Sequence, residues 1–308
     1  MSDVSRTPPA DPPVLRQWRT WLLVPTVYAA WLLAVVAYDA LGRVAGSILI
    51  ILATCWFTSL QHELIHGRPS RSRRVNRLMG LAPLAVWYPY ELYLRSHLAH
   101  HRDELLTEPG IDPESNYIDD AAWQRLSRVI RPMWIAQRTV LGRFLLGPAM
   151  VIVPTWLDIV RRPLRGDFSQ SRSWAVHLML VCATLFALDR YAGIGPLRYL
   201  LTIGYPALGL AMFRSFYEHR PALEASHRVV INEAGLFWRI LYLNNNYHAV
   251  HHERPDLPWH LVRRFYLENR AEVLRRNGGF VISGYLSLMR RHALTTVDSP
   301  VHPVQADR

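Results

Sequence analysis

Apolar residues are concentrated in four long segments of the chain, at residues 18–38, 45–60, 174–188 and 197–213. A bilayer core is about 30 Å thick and is crossed by roughly 20 apolar helical residues, so all four are spanning candidates, although two are short. Hydrophobic residues make up 50% of the 308-residue chain, and four such segments would overfill the core of a soluble protein. The pattern therefore predicts an all-α integral membrane protein with about four transmembrane helices.

Arginine predicts the orientation of these segments. The chain contains no lysine, so all 35 of its basic residues other than histidine are arginine. Arginines precede the first and third segments and follow the second and fourth, whereas the connections at about 39–44 and 190–197 carry few of them. Positive residues favour the cytoplasmic side of short loops. We therefore expect both termini in the cytoplasm and two short external turns.

A fifth apolar stretch, at residues 140–157, is interrupted by Gly147, Pro148 and Pro154. The predicted orientation requires this stretch to enter and leave on one side of the membrane, or to lie on the interface. Because proline breaks or kinks a helix, a break at Gly147 and Pro148 favours that arrangement.

Proline and charge help to define the ends of the chain and the class of its partners. Residues 1–17 contain four prolines close together and are expected to form a disordered lead. The membrane domain is expected to cover residues 18–292, followed by a short tail at 293–308. The net charge of +11 is not accompanied by a helix-turn-helix, a zinc-finger spacing or an aromatic-basic platform, so it does not predict nucleic-acid binding.

Eight of the fourteen histidines lie in three short clusters, which we call the histidine boxes. They are HELIHG with His62 and His66, HLAHH with His97, His100 and His101, and HAVHH with His248, His251 and His252. On a helix, positions i, i+3 and i+4 share one face, so each HxxHH box is expected to aim three imidazoles at one point. A zinc ion takes three or four protein ligands, so eight imidazoles indicate two metal ions. Imidazole suits zinc, copper, iron and nickel, so the residue type alone does not identify the metal.

The predicted orientation brings all three boxes to the cytoplasmic side, in a histidine-rich helical cap just outside the bilayer. Taken alone, HELIH also matches HExxH, the helical zinc-protease signature, in which Glu63 would be the general base. A protease site needs one further ligand and leaves both HxxHH boxes without a role. The three boxes together therefore favour a two-metal site over this alternative.

The order HxxxH, HxxHH, HxxHH among four apolar segments resembles the membrane fatty acid desaturase superfamily. This superfamily includes fatty acid desaturases, alkane and fatty acid hydroxylases, and carotenoid ketolases and hydroxylases. The resemblance extends from about residue 20 to 292, and the segment NNNYHAVHHERPDLPW at 244–259 looks most like bacterial desaturases and the related carotenoid ketolases. HELIHG lacks the aspartate that we would expect after the first histidine of a ketolase. The resemblance implies two non-heme iron ions, molecular oxygen as co-substrate, and a place in a bacterial inner membrane.

Family members usually hold one further histidine ahead of the third box, and His219 in FYEHRP matches that position. Residues beside the boxes could orient the ligands, as neighbouring polar groups commonly do; these candidates are Asn244, Asn245, Glu63 and Glu218. The acidic loop at 106–118 is assigned no role at the metals. His177, inside the third segment, is expected to bond a neighbouring helix.

The resemblance implies desaturation of the acyl chain of a fatty acid or lipid by hydrogen abstraction. Hydroxylation or ketolation of a lipid, alkane or carotenoid at the same site is the alternative. Apolar and aromatic residues of the spans and of WYPYELYL at 87–94 are expected to line the substrate tunnel. Membrane lipids are expected to surround the spans. The HPGG signature of a cytochrome b5 module is absent, so electrons are expected from a separate carrier such as a ferredoxin or rubredoxin with its reductase. The arginine-rich face could dock an acidic carrier.

Overall fold

The computed structural model describes residues 17–303, which are mainly helical. In chain order the α-helices are α1 (Trp18–Val36), α2 (Tyr38–Leu41), α3 (Arg43–Ile65), α4 (Arg73–Gly80), α5 (Tyr90–His100), α6 (Asp120–Arg125), α7 (Arg131–Ala136), α8 (Val140–Leu164), α9 (Ser171–Ala192), α10 (Pro196–Arg198), α11 (Tyr205–Arg214), α12 (Leu236–Leu241), α13 (His248–Glu253), α14 (Trp259–Glu268), α15 (Arg270–Arg276) and α16 (Tyr285–His292). The remaining elements are 3₁₀ turns at Asp103–Leu105 and Ala225–Arg228, a π-helix at Tyr199–Gly204, and the paired parallel strands β1 (Ile231–Asn232) and β2 (Val281–Ile282). The predicted all-α membrane fold is confirmed. The predicted disordered lead at 1–17 lies outside the described residues except for Gln17, as do residues 304–308 of the tail.

Helices α1 and α3 form an antiparallel pair. Leu23 and Val27, in the first half and at the middle of α1, pack with Leu60 and Leu64 near the end of α3. Val35, at the end of α1, packs instead with Ile50 near the start of α3. Both helices are long and apolar enough to cross a membrane, and they correspond to the first two predicted spans.

Helix α9 corresponds to the third predicted span and is also long and apolar enough to cross a membrane. Leu188, near its end, packs with Val35 at the end of α1 and with Tyr38 at the start of α2. The start of α9 therefore lies on the side where α3 ends, which we call the histidine side. His177 Nε2 in α9 lies 2.9 Å from the carbonyl oxygen of Val86, so its partner is the loop between α4 and α5 rather than a neighbouring helix.

The fourth helix that is long and apolar enough to cross a membrane is α8, whereas the sequence predicted residues 197–213. Those residues instead fold as α10, the π-helix and α11 in succession, without forming one regular α-helix. The expected break within 140–157 is also absent, because α8 runs without interruption for 25 residues.

A close contact between α8 and α11 lies at Pro148, the first of the three prolines inside α8. Pro148 has no N–H to donate to the carbonyl of Phe144, four residues earlier. Gly209 of α11 lies so close to this carbonyl that an added Cβ would be 2.6 Å from the oxygen. Small residues allow such close approach of two helices in a membrane. The carbonyl that Pro148 leaves without its helical donor therefore packs against the backbone of α11.

Both ends of α8 lie on the histidine side. Val140, at its start, packs with Phe213 and Phe216 near the end of α11. Trp156, in its second half, contacts Trp174 at the start of α9, with ring centroids 5.7 Å apart. The large exposed apolar side chains of α8 are Leu141, Leu145, Val153, Trp156, Leu157, Val160 and Leu164. An apolar outer face on a helix that stays on one side suits a position in the membrane interface.

The helices after α11 form a cap with its own apolar core. Its buried residues include Val229, Ile231, Tyr247, Val250 and Tyr266. The short parallel pair of β1 and β2 ties Ile231 to Val281, and α13 lies directly beside β1, since Ala249 N–H donates to the carbonyl of Val230. This packing holds the third histidine box against the end of α3.

Candidate metal centre

The nine histidines predicted from the sequence are brought together in two groups. Cluster 1 contains His62, His66, His97, His101 and His251, and cluster 2 contains His100, His219, His248 and His252. Within each cluster one ring nitrogen of every histidine lies within 4.8 Å of those of the others. Side chains from distant parts of the chain therefore converge on two points.

Helix ends position most of these side chains. His62 lies in the last turn of α3 and His66 caps that helix. His97 and His100 lie in the last turn of α5, whose C-cap is His101. The remaining histidines come from the loop after α11 and from the short helix α13. The site therefore lies at the ends of helices on the histidine side, outside the apolar length of α3.

The HxxHH boxes do not aim three imidazoles at one point, contrary to the sequence prediction. His97 and His101 point to cluster 1, whereas His100, between them, points to cluster 2. A helix turns by about 100° per residue, so positions four apart nearly coincide while adjacent positions diverge. The third box divides in the same way, since His251 joins cluster 1 and its neighbours join cluster 2. Each HxxHH box therefore serves both clusters.

The distances between ring nitrogens suit metal coordination. In cluster 1, the Nε2 atoms of His66 and His101 each lie 3.0 Å from His97 Nε2. In cluster 2, His219 Nε2 lies 3.0 Å from His100 Nε2 and 3.1 Å from His248 Nε2. Metal–nitrogen bonds of about 2.1 Å that meet at right angles place adjacent ligand atoms about 3 Å apart. The donor set and its spacing thus fit one transition-metal ion in each cluster.

Burial disfavours the charged form of most of these imidazoles. Burial lowers the pKa of His66, His219, His248, His251 and His252 well below the usual range, and neighbouring imidazoles lower it further. Burial likewise lowers the pKa of His101 to about 3. A neutral ring keeps a lone pair free for a metal.

Two carboxylates orient histidines of the second box. His100 Nδ1 lies 2.8 Å from Asp112 Oδ1, and His97 Nδ1 lies 3.3 Å from Glu114 Oε1. Burial opposes the charged form of His100, but Glu114 and Asp112 raise its pKa above the usual value. A carboxylate that accepts the Nδ1 proton leaves Nε2 free to bind a metal.

Asp112 and Glu114 belong to the loop at 106–118, to which the sequence assigned no role at the metals. That interpretation was wrong, because the loop contacts two histidines of the second box. Asp112 is buried, and its carboxylate also accepts hydrogen bonds from Thr107 N and Glu114 N. Two acids separated by one proline were the available signal, but no helical spacing relates them to the box. Their position depends on long-range packing, which sequence spacing does not encode.

Of the four polar residues beside the boxes, Asn245 and Glu218 lie at the clusters. Asn245 Oδ1 is 3.2 Å from His248 Nδ1, and its Nδ2 is 3.5 Å from His62 Nε2, so this side chain connects the two clusters. Glu218 Oε2 is 3.8 Å from His248 Nε2. Its other oxygen is 3.4 Å from Arg214.

Asn244 and Glu63 lie in a different environment. Asn244 Nδ2 donates to the carbonyl of Trp259, and Glu63 Oε2 accepts from Trp259 N at 3.4 Å. Both contacts are at the start of α14. These two side chains therefore join α3 and the third box segment to the cap, and the contacts just described are not with a box histidine.

The C-terminal segment holds the loop that carries Asp112. Ile118 N donates to Pro300 O, and His302 N donates to Ile118 O. His302 Nε2 lies 3.0 Å from Thr107 Oγ1, and Thr107 N donates to Asp112. Residues 298–302 thus act on His100 through the loop at 106–118.

A cavity of about 540 Å³ reaches both clusters. His62 of cluster 1 and His100 and His219 of cluster 2 line it. Tyr88 and Tyr93, from the segment predicted to line a substrate tunnel, also lie on its wall. The remaining lining is mixed and includes Leu92, Val151, Thr155, Leu208, Met212, Arg95, Arg143, Arg162 and Arg214. Helix α8 contributes part of the cavity wall, and a ligand in the cavity can reach both clusters.

Comparison with known protein families gives one family whose sequence pattern matches most of this chain. The sequence pattern of the fatty acid desaturase family matches residues 39–283. This range contains all nine clustered histidines and both orienting carboxylates. A search of curated proteins returns no match for the chain.

Proposed function

This chain belongs to the fatty acid desaturase family, and from that premise we propose that it is an oxygen-dependent lipid oxidoreductase with one non-heme iron in each histidine cluster. The observation that carries the proposal is the pair of separate imidazole clusters on a single cavity. Desaturation of an acyl chain by hydrogen abstraction is the reaction that we propose first.

The residues of the chain hold the metal ions, orient the substrate and exclude water. They do not carry out the oxidation themselves, because no side chain can remove hydrogen from an unactivated methylene. Bound iron and oxygen would supply that oxidising power. Nine imidazoles would hold the irons, and Asp112 and Glu114 keep two of these rings in the correct orientation. The cavity, whose wall includes residues of α8, would hold the hydrocarbon next to both clusters.

The zinc-protease alternative is not favoured. Its general base would be Glu63, whose carboxylate instead accepts a hydrogen bond from Trp259 N. The two histidines of HExxH share their cluster with three histidines from other parts of the chain, which is more than a catalytic zinc site needs.

Metal content tests this proposal. Protein purified in detergent after growth without added zinc is expected to contain about two irons per chain, one for each cluster. Elemental mass spectrometry measures this ratio. About one zinc and no iron per chain would contradict the proposal and favour the zinc-protease alternative. With iron present, lipid product analysis separates an alkene from the alcohol or ketone of the alternative reactions.

We also propose that a separate electron carrier docks on the histidine side, which would face the cytoplasm of a bacterial cell. Two histidines of cluster 1, His66 and His101, are only partly buried, against one of cluster 2, His219, so cluster 1 is the more exposed of the two. Arg102 follows the second box directly and is exposed. An acidic carrier would be attracted to this surface by the net charge of +11.

Reduction by an acidic plant-type ferredoxin is therefore expected to slow as salt rises, because the screening length falls from about 10 Å at 0.1 M to about 3 Å at 1 M. Arg102→Glu is expected to slow reduction at low salt. Arg43→Glu, at the opposite end of α3 and also exposed, is the matched control. Stopped-flow reduction rates measure both effects. Reduction rates that do not change with salt concentration, or equal effects of the two variants on these rates, would rule out docking at this surface.

A further inference from the structure

Arg143 is a buried arginine on the wall of the cavity. It lies in the first half of α8 and is 1% exposed. Its Nη1 donates to Asn116 Oδ1. Among residues 17–303, its Nε and Nη2 have no hydrogen-bond partner. A guanidinium has five N–H donors, so most of the hydrogen-bonding capacity of this side chain is unused.

The charge of Arg143 is not neutralised by the protein around it. Asp298 acts on it electrostatically, but Asp298 Oδ1 accepts from Arg138 Nε at 2.7 Å and its Oδ2 accepts from Tyr117. Arg138 is itself 2% exposed, so two buried guanidiniums share one carboxylate. Asn116 is neutral. A buried charge without a counter-charge is costly, which indicates that a partner arrives from outside the chain.

The two carboxylates that line the cavity, Glu114 and Glu218, already have partners. Glu218 pairs with Arg214 at 3.4 Å, and Glu114 is bonded to His97. Arg162 pairs with Asp158 and Asp167 outside the cavity. No carboxylate of the cavity wall is therefore left for Arg143.

We propose that the ligand of this cavity carries an oxyanion, a carboxylate or a phosphate, that binds Arg143. This inference rests on the proposed function and names the class of its substrate: an anionic amphiphile, whose hydrocarbon lies along the apolar lining. The planar guanidinium binds carboxylate and phosphate through two parallel hydrogen bonds. Leu92, Leu208 and Met212 supply the apolar lining near both clusters.

Binding to the iron-loaded protein in nanodiscs tests this assignment without requiring turnover. The probes are radiolabelled dodecanoate, dodecyl phosphate and dodecanol at mildly alkaline pH, with binding to empty nanodiscs subtracted. Either anionic probe is expected to bind about tenfold more tightly than dodecanol, because charge-assisted hydrogen bonds are the strong ones. The anion that binds better identifies the source of the oxyanion, a free acid or a phosphate ester.

Substitutions at Arg143 separate its contribution from direct binding of the anion to iron. Arg143→Gln is expected to remove the preference for the anionic probe, and Arg143→Lys to restore part of it. Arg161→Gln is the matched control, because Arg161 lies on the same helix and is exposed. Without ligand, Arg143→Gln is expected to melt at the same or a higher temperature, since it removes an uncompensated buried charge.

Two outcomes would overturn the proposal. One is equal binding of dodecanol and both anions by the unmodified protein, which involves no variant and no question of folding. The other is an anion preference that survives in Arg143→Gln as it does in Arg161→Gln. Iron content is measured on the same samples, so failure of the proposed function would be recognised separately as an absence of iron.

Discussion

Replacement of His100 by alanine is expected to abolish turnover and to lower the iron content by about half, while leaving membrane insertion intact. Cluster 2 has four histidines, and the variant leaves three, without the ring that Asp112 orients. Even a change to a group that only orients a ligand commonly costs 10- to 100-fold, so loss of a ligand is expected to cost more than about 100-fold in activity. No residue of the long apolar helices is altered.

Iron per chain and lipid products measure this effect in purified protein. His260→Ala is the control, because His260 lies outside both clusters and its loss is expected to leave iron and products unchanged. His66→Ala provides a graded comparison: cluster 1 would keep four of its five histidines, so iron is expected to be retained better than in His100→Ala. Unchanged product levels in His100→Ala would contradict the ligand assignment.

Replacement of Asp112 by asparagine is expected to weaken metal retention or activity by about 10- to 100-fold. Asp112 Oδ1 accepts from His100 Nδ1 and Glu114 N, and Oδ2 accepts from Thr107 N at 3.0 Å. An amide of the same shape keeps only one oxygen and has no charge. It therefore loses at least one of these bonds and orients His100 less firmly.

Loss of iron to a chelator over time measures this effect, and the visible spectrum of cobalt-substituted protein reports the geometry of cluster 2. Asp119→Asn is the matched control. Asp119 caps α6 by accepting from Ala122 N, a role that asparagine fills as well as aspartate does. Equal iron loss and identical cobalt spectra in the two variants would show that Asp112 has no special role at the metal.

The sequence predicted the convergence of the histidines because box spacing is a local property. His62 and His66, or His97 and His101, lie one helical turn apart, and that relation survives in any helix. His219 stands alone in its segment, and only the resemblance to a family indicated it. Assignment of the same face to three histidines was wrong, because positions 100 and 101 differ by about 100° around a helix.

Features that depend on long-range contacts were not predictable from composition. Asp112 reaches His100 only because the loop folds back and the C-terminal segment pairs with it at Ile118. The carbonyl that Pro148 leaves without its helical donor lies against Gly209, which belongs to another helix. Hydropathy alone could not distinguish α8 from residues 197–213, since both are apolar and contain proline.

The division of the boxes between the clusters has a consequence for biosynthesis. Cluster 1 requires His251, and cluster 2 requires His219, His248 and His252, so each cluster is incomplete until the ribosome has translated the last box. The nascent chain must therefore insert its long apolar helices with both sites still open. Under the proposed function, iron would then enter a protein whose membrane helices are already in place, and both sites would be completed in the same final folding step.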